Sequence, residues 1–393
     1  MRRGRRSQNS AFLDFTVGEY YRRGTQLRRD LSDKTYVHQL LREKTLGGTR
    51  IGLPRQYAIL TSTEQIIPEI LGERVALKFA HGWSAKGVML LEHLGGGRYF
   101  DYMVLRERTI ADIRQTQRNA LAQFPNKNAV WIVEEFLRGA QPGAIPYDYK
   151  FYMFQGQIGA VAQIDRNSSP LRAVMLDGDL KPLRLGQDYW TGRNDTQQTV
   201  PLVPRSAVML SRWAIELAKM TDAPFSRIDL FDTVDGPYFG EFTFSTGAEI
   251  KGRVTYSDRI HKHLDSLFAD AQKELKGEAV QPRESWSTVL QKTPPEVLGT
   301  QPVIDLQEYQ RCAYYLHNQG SLGGFRLAQA QERLLDSGAD ETVNQYVVDA
   351  HHAARHQARR LASPPEPQWR RQAKRIYKKV SKLMPVSLPL AQR

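Results

Sequence analysis

The stretch RIDLFDTVDGPYFGEFTFSTG, residues 227–247, sets three oxygen-bearing side chains, Asp229, Glu241 and Thr243, within alternating apolar runs. Asp235-Gly236-Pro237 between the runs is a strong turn signal, so the stretch is expected to form a β-hairpin. Residues two apart in a strand share a face, which sets Glu241 beside Thr243. Pairing around the turn brings Asp229 near them on the neighbouring strand. Two carboxylates and a hydroxyl on one face suit Mg²⁺, a hard cation that takes oxygen ligands and keeps positions for phosphate. The competing reading is a hairpin whose acids simply face water.

A second stretch, VALKFAHGWSAKGVMLLEHLGGGRYF (75–100), carries Lys78 on an apolar strand ahead of a loop of small residues, Gly82, Ser84, Ala85 and Gly87. A lysine there supplies charge to a polyphosphate, and the N–H groups of such a loop close over phosphates without side-chain clash. It is not a Walker A loop, since GxxxxGK[ST] is missing; a plain hairpin is the alternative. Further on, WIVEEFLRG ends in Glu134-Glu135 and YDYKFYMF carries Asp148 and Lys150. Acids at a strand end can bond an adenine amino group or ribose hydroxyls while apolar neighbours sandwich the base, or they can merely be solvated.

The elements that must position these residues fall into four segments. Residues 1–48 read as helical, with apolar periodicity through YVHQLLREK and an N-cap at Ser32 or Asp33. Residues 49–276 alternate short apolar runs with helical stretches such as SAVMLSRWAIELAKMT, the pattern of an α/β or α+β domain. Residues 277–366 are polar, Gln/Ala-rich helices between Pro-rich breaks, and 367–393 form a basic tail. No fixed-period repeat is present.

The 393 residues suffice for a sizeable core and two or three domains, and 41% hydrophobic and 10% aromatic content are ordinary for a soluble globular chain. The single cysteine, Cys312, excludes an internal disulfide and a CxxC metal motif, which fits a reducing cytosol. No apolar run approaches the ~20 residues that span a bilayer, and the basic N-terminus lacks the apolar stretch of a secretory signal. Net charge is +13, but residues 1–6 hold four arginines and 367–393 hold eight Lys or Arg, both without acids. Those appendages account for 12 of the 13 excess charges. The near-neutral body argues against a built-in nucleic-acid groove.

Taken in order, the lysine strand with its flap, the paired acids, Asp-x-Lys, then Asp with Glu-x-Thr form a series that resembles the ATP-grasp superfamily. The more particular resemblance is to its TupA-like, teichuronopeptide-biosynthesis branch, through LSDKTYVHQLLREK (31–44), ALKFAHG (76–82), VEEFL (133–137), DYKFYMFQGQI (148–158), IDR (164–166) and RIDLF (227–231). The resemblance covers roughly residues 30–265. It implies an α+β ATP-grasp fold, two α+β subdomains holding ATP between them, with an N-terminal helical segment and a C-terminal helical extension. It implies ATP and Mg²⁺ as cofactors. Lys78 would contact the α/β-phosphates beneath a flap containing His81, Gly82, Ser84, Lys86 and Gly87. Glu134 and Glu135 would sit at the adenine hinge, Asp148 near the ribose and Lys150 near the phosphates. Asp229, Glu241 and Thr243 would surround Mg²⁺, with Arg166 and Arg227 steadying the transferring phosphate or a carboxylate. The chain departs from the superfamily's Glu-x-Asn at Thr243 and from the branch's Asn-His-Gly-Ser-Gly flap at Ala80 to Ser84, where Trp83 intrudes.

The implied activity is carboxylate–amine ligation through an acyl phosphate, on a surface polysaccharide or its precursor; no GxSxG elbow or Cys/His pair competes with it. The same ATP site could instead phosphorylate a glycan hydroxyl. A different class, a non-catalytic membrane or nucleic-acid binder using the basic tails, leaves Lys78 and the ordered acids unexplained. The tail PQWRRQAKRIYKKVSKLMP has an apolar seam amid basic residues, as in a helix lying on an anionic membrane or packing on its own domain. The expected location is therefore cytoplasmic, with peripheral contact at the inner face of the membrane. Asp349, His352 and His356 share a helical face by spacing, the pattern of a transition-metal site or, more commonly, of a solvated surface; His261 and His263 read as structural.

Overall fold

The computed structural model describes residues 10–21, 24–82, 85–124, 127–192, 196–298, 304–318, 321–336, 341–362 and 372–373. Two six-stranded sheets dominate. The first runs, in spatial order, Gln56–Leu60, Trp131–Glu135, Arg74–Phe79, Val88–Gly95, Arg98–Asp101 and Arg106–Thr109, every pair antiparallel. Its buried residues, Leu77, Phe79, Leu91 and Val133, pack on Ile113 of the helix Ile110–Ala122. That helix starts where Thr109 and Asp112 form a reciprocal cap, which fills two N–H groups that a helix start leaves open. Trp131 Nε1 donates to Gln117 Oε1 at 3.0 Å, so the indole that fills this core also has its polar atom satisfied.

The second sheet runs Thr196–Gln198, Leu171–Asp177, Gln157–Asp165, Asp148–Phe154, Ser226–Thr233 and Gly236–Thr243. Only the first two of these strands pair in parallel. Alternation sends Tyr149, Phe151, Met153, Ile228 and Leu230 to one face, where they join Leu210, Trp213 and Leu217 of the helix Ala207–Lys219. Tyr152, Phe154, Ala160 and Met175 pack against Ile260, Leu264 and Phe268 of the helix Asp258–Leu275. Asp148, Lys150, Arg227 and Asp229 alternate with the apolar set of their two strands and so share the opposite face.

Described residues of both flanking segments pack against the second sheet. Phe12, on the helix Ala11–Tyr20, meets Phe154 and Phe225 edge-on at 5.3 and 4.8 Å between ring centroids. Leu31, Val37 and Leu41 belong to the same apolar cluster as the sheet. From the other end, Trp286, Leu290, Tyr309, Cys312 and Val347 join that cluster too. Trp286 Nε1 donates to Ser211 Oγ at 2.9 Å. Residues of the C-terminal extension and the second sheet therefore share one core. Among the described residues no helix is long and apolar enough to cross a membrane. The basic tail 367–393 lies outside the described residues apart from 372–373.

Candidate active site

The hairpin Ser226–Thr233 and Gly236–Thr243 turns through Val234-Asp235. Thr233 Oγ1 donates to Gly236 O at 2.7 Å and accepts from Asp235 N at 3.2 Å, which fixes the turn. From the turn outward the register pairs Thr233 with Gly236 and Leu230 with Phe239, then shifts by one, so that Asp229 pairs with Glu241 and Arg227 with Thr243. Gly240 is the extra residue. A Cβ on it would stand 2.9 Å from Asp229 O and 3.0 Å from Phe231 Cε2, so the bulge needs a glycine. The shift has a chemical consequence. Without it Asp229 would oppose Gly240, and Glu241 and Thr243 would project from the other face of the sheet.

With the bulge in place, Arg227, Asp229, Glu241 and Thr243 converge. Arg227 Nε and Nη2 donate to the two oxygens of Asp229 at 2.6 and 2.8 Å. Nη2 also reaches Thr243 Oγ1 at 3.1 Å and Glu241 Oε1 at 3.5 Å. The neighbouring strand supplies Lys150, the register partner of Asp229, whose Nζ donates to Asp229 Oδ2 and stands 2.6 Å from Asp148 Oδ2. Arg166 Nη2 lies 3.7 Å from the same Asp148 oxygen. Burial alone would raise the Asp229 carboxyl, but the Arg227 guanidinium and Lys150 ammonium outweigh it and hold the group below its ordinary value. Burial would likewise lower Arg227, yet the Asp229 charge raises it, so the pair stays ionised.

The first lobe faces this hairpin across a cleft lined by, among others, Lys34, Lys78, Ile132, Glu134, Phe239 and Glu241. Lys78 is ion-paired with Glu134. Glu134 and Glu135 occupy opposite faces of their strand: Glu134 is buried on the cleft side, whereas the Glu135 carboxylate accepts from Arg55 N at 3.2 Å. Glu134 and Glu135, expected together at an adenine hinge, are thus not brought together. At the end of the flap, Gly87 takes φ +73° and a Cβ there would lie 2.8 Å from Phe79 Cβ, so this position sits tightly against the preceding strand. Lys86 is exposed, with Nζ 5.7 Å from the Phe124 ring centroid. His81 Nδ1 lies 3.7 Å from Asp33 Oδ2, and burial lowers the imidazole's pKa. Ser84 and Trp83 lie outside the described residues.

Two groups escaped the sequence reading. Lys34, the first residue of the helix Lys34–Leu41 capped by Asp33, donates from Nζ to Gly82 O at 3.0 Å and stands 3.5 Å from Glu241 Oε2. It ties the flap to the hairpin. Its signal was the Asp-Lys pair within 31–44, which spacing alone could not connect to the cleft. Glu249 accepts from Tyr152 Oη at 3.0 Å and Tyr256 Oη at 2.7 Å, and burial raises its carboxyl. No local pattern marks that cluster.

Among the described residues no three acids, histidines or cysteines converge as a closed metal cage. Asp229, Glu241 and Thr243 nonetheless suit Mg²⁺, which is commonly held by one or two carboxylates together with substrate phosphates. Elsewhere, Asp349, His352 and His356 are exposed; His352 Nδ1 pairs with Arg355 and Asp349 with Gln345, both at 2.8 Å.

A family model described as TupA-like ATPgrasp matches residues 21–268, well over half of the chain. The chain belongs to this TupA-like ATP-grasp family. Its match runs from the N-terminal helices through the hairpin and into the helix Asp258–Leu275. Among solved structures, the ATP-grasp ligase PsnB with its minimal precursor is similar over 63% of this chain and 62% of its own, at 13% identity and TM-score 0.34. The chain thus spans about three fifths of that protein's length. A D-alanine–D-alanine ligase from Bacillus anthracis complexed with ATP is 15% identical over 68% of this chain and 77% of its own, TM-score 0.36. A Chryseobacterium gregarium RiPP-associated ATP-grasp ligase is 12% identical over 70% and 72%, TM-score 0.35. No curated protein matches this TupA-like chain.

Proposed function

We propose that the cleft binds ATP with Mg²⁺ and that the protein is a carboxylate–amine ligase acting on a surface polysaccharide or its precursor. The observation that carries the MgATP part of this reading is the hairpin face, where the Gly240 bulge gathers Asp229, Glu241, Thr243 and Arg227 and where Glu241 lines the same cleft as Lys78; the polysaccharide acceptor rests on the family resemblance alone. Asp229, Glu241 and Thr243 would hold Mg²⁺, which when bound neutralises phosphate charge. Lys78 and Lys150 supply further positive charge for the phosphates, and Ile132 supplies an apolar wall for the base. Glu134 orients Lys78 through their ion pair. Arg227 and Arg166 present N–H groups to the phosphoryl group as it passes to a substrate carboxylate, where negative charge accumulates. Carboxylate oxygen attacks the γ-phosphorus, ADP leaves, and an amine then displaces phosphate from the acyl phosphate to give an amide. None of these steps needs a protein nucleophile.

The experiment is incubation with ATP, Mg²⁺ and candidate carboxylates in hydroxylamine, which traps an acyl phosphate as a hydroxamate. Hydroxamate formation coupled to ADP release is expected. A stable phosphorylated acceptor without hydroxamate would instead establish the kinase reading. If millimolar MgATP neither raises the melting temperature nor is consumed, the nucleotide assignment fails.

A further inference from the structure

The three side chains suited to a divalent cation are already engaged by one guanidinium. Arg227 spans both oxygens of Asp229 and touches Thr243 Oγ1 and Glu241 Oε1 within 3.5 Å. The surroundings add more positive charge. Lys150 takes Asp229 and Asp148, Lys34 faces Glu241, and Arg166 faces Asp148. Three carboxylates, Asp148, Asp229 and Glu241, thus meet four protein cations, Lys34, Lys150, Arg166 and Arg227. A divalent ion entering alone would stand beside a guanidinium held by the same oxygens, in a pocket where Asp229 is only 2% exposed and water screens poorly. A polyphosphate reverses that balance, because its oxygens can take the guanidinium and complete the metal's coordination.

We propose that Arg227 acts as a built-in cation at the metal position, so that this site takes Mg²⁺ only together with a polyphosphate. The inference rests on the MgATP reading above and adds to it a coupling between the two ligands. Arg227 moves from Asp229 to phosphate as they bind. By linkage, nucleotide tightens the metal by the same factor that metal tightens nucleotide.

The test uses Mn²⁺ as a paramagnetic probe of the full-length protein, by titration with and without a non-hydrolysable ATP analogue. Wild-type protein should bind Mn²⁺ weakly alone, and the analogue should tighten it by more than about tenfold. Arg227→Met, which removes the charge and keeps the length, should gain Mn²⁺ affinity without nucleotide by a similar factor. That gain should vanish on adding Asp229→Asn. Arg227→Lys, still cationic, should stay weak. Equal Mn²⁺ affinity in wild type and Arg227→Met, a gain in Arg227→Lys, or no effect of the analogue on wild type would each overturn the proposal. Should the Met variant melt early, the wild-type and Lys comparisons still decide it. Failure of the analogue itself to bind, read separately as a missing thermal shift, would overturn the MgATP reading instead.

Discussion

Asp229 is the most constrained residue of the candidate site: its two oxygens receive Arg227 and Lys150, and its register partner is Glu241. Asp229→Asn and Glu241→Gln keep side-chain size but remove a charged oxygen. Each should lower ATP turnover by about 100-fold or more, equivalent to ~2.7 kcal/mol of transition-state stabilisation. Wild-type turnover in both would leave the acids with only a structural role, as ion-pair partners of Arg227, Lys150 and Lys34. Thr243→Asn retains an oxygen and should keep most activity, whereas Thr243→Val should impair it. Asp229 also links stability to pH. Its folded pKa is depressed, so its ion pairs contribute fully above the unfolded carboxyl value, about 3.9, and that contribution is lost as pH falls through the lower folded value. Denaturant titrations at falling pH should show this loss below about pH 4 in wild type and less of it in Asp229→Asn.

The decisive element is the hairpin with its bulge, because the one-residue shift at Gly240 chooses the face on which Glu241 and Thr243 stand. Gly240→Ala places a methyl 2.9 Å from Asp229 O, and neither that carbonyl nor the Phe231 ring beside it is a flexible chain end. Destabilisation on the order of 1–3 kcal/mol is expected, with MgATP binding weakened more than the melting temperature alone would suggest. A melting curve and a nucleotide titration on the same sample separate the two effects. Unchanged values in both would mean that the strands accommodate the methyl without moving Glu241.

At the scale of the molecule, the segments flanking the family match behave differently. Trp286, 1% exposed and bonded to Ser211, belongs to the core beneath the second sheet. Trp286→Ala should cost about 3–5 kcal/mol, measured by denaturant unfolding, although it lies outside residues 21–268. Deletion of residues 367–393 should do the opposite. It removes eight basic residues and no site residue, so MgATP binding should persist while salt-sensitive affinity for anionic vesicles falls. Loss of nucleotide binding in the folded truncation would make the tail part of the catalytic unit.

The sequence alone determined what local rules govern. Alternating apolar residues on either side of Asp235-Gly236-Pro237 pointed to a hairpin, whose turn the structure sets one residue earlier at Val234-Asp235; Ser32 or Asp33 pointed to a helix start, and the ordered motifs from Lys78 to Thr243 identified the family and its α+β fold, because each is written in neighbours within a few residues. It also showed that Asp229, Glu241 and Thr243 are chemically suited to a hard cation. It could not show that Glu134 and Glu135 part company across their strand toward different partners, that Lys34 reaches the flap and Glu241 together, or that Arg227 spans Asp229 and Thr243. Those relations depend on strand register and on segments up to about two hundred residues apart meeting at one cleft. Register itself turned on Gly240, a residue whose own side chain carries no chemistry. Its place in the ladder was decided by how the two strands pack on the sheet, and that packing exists only once the chain has folded.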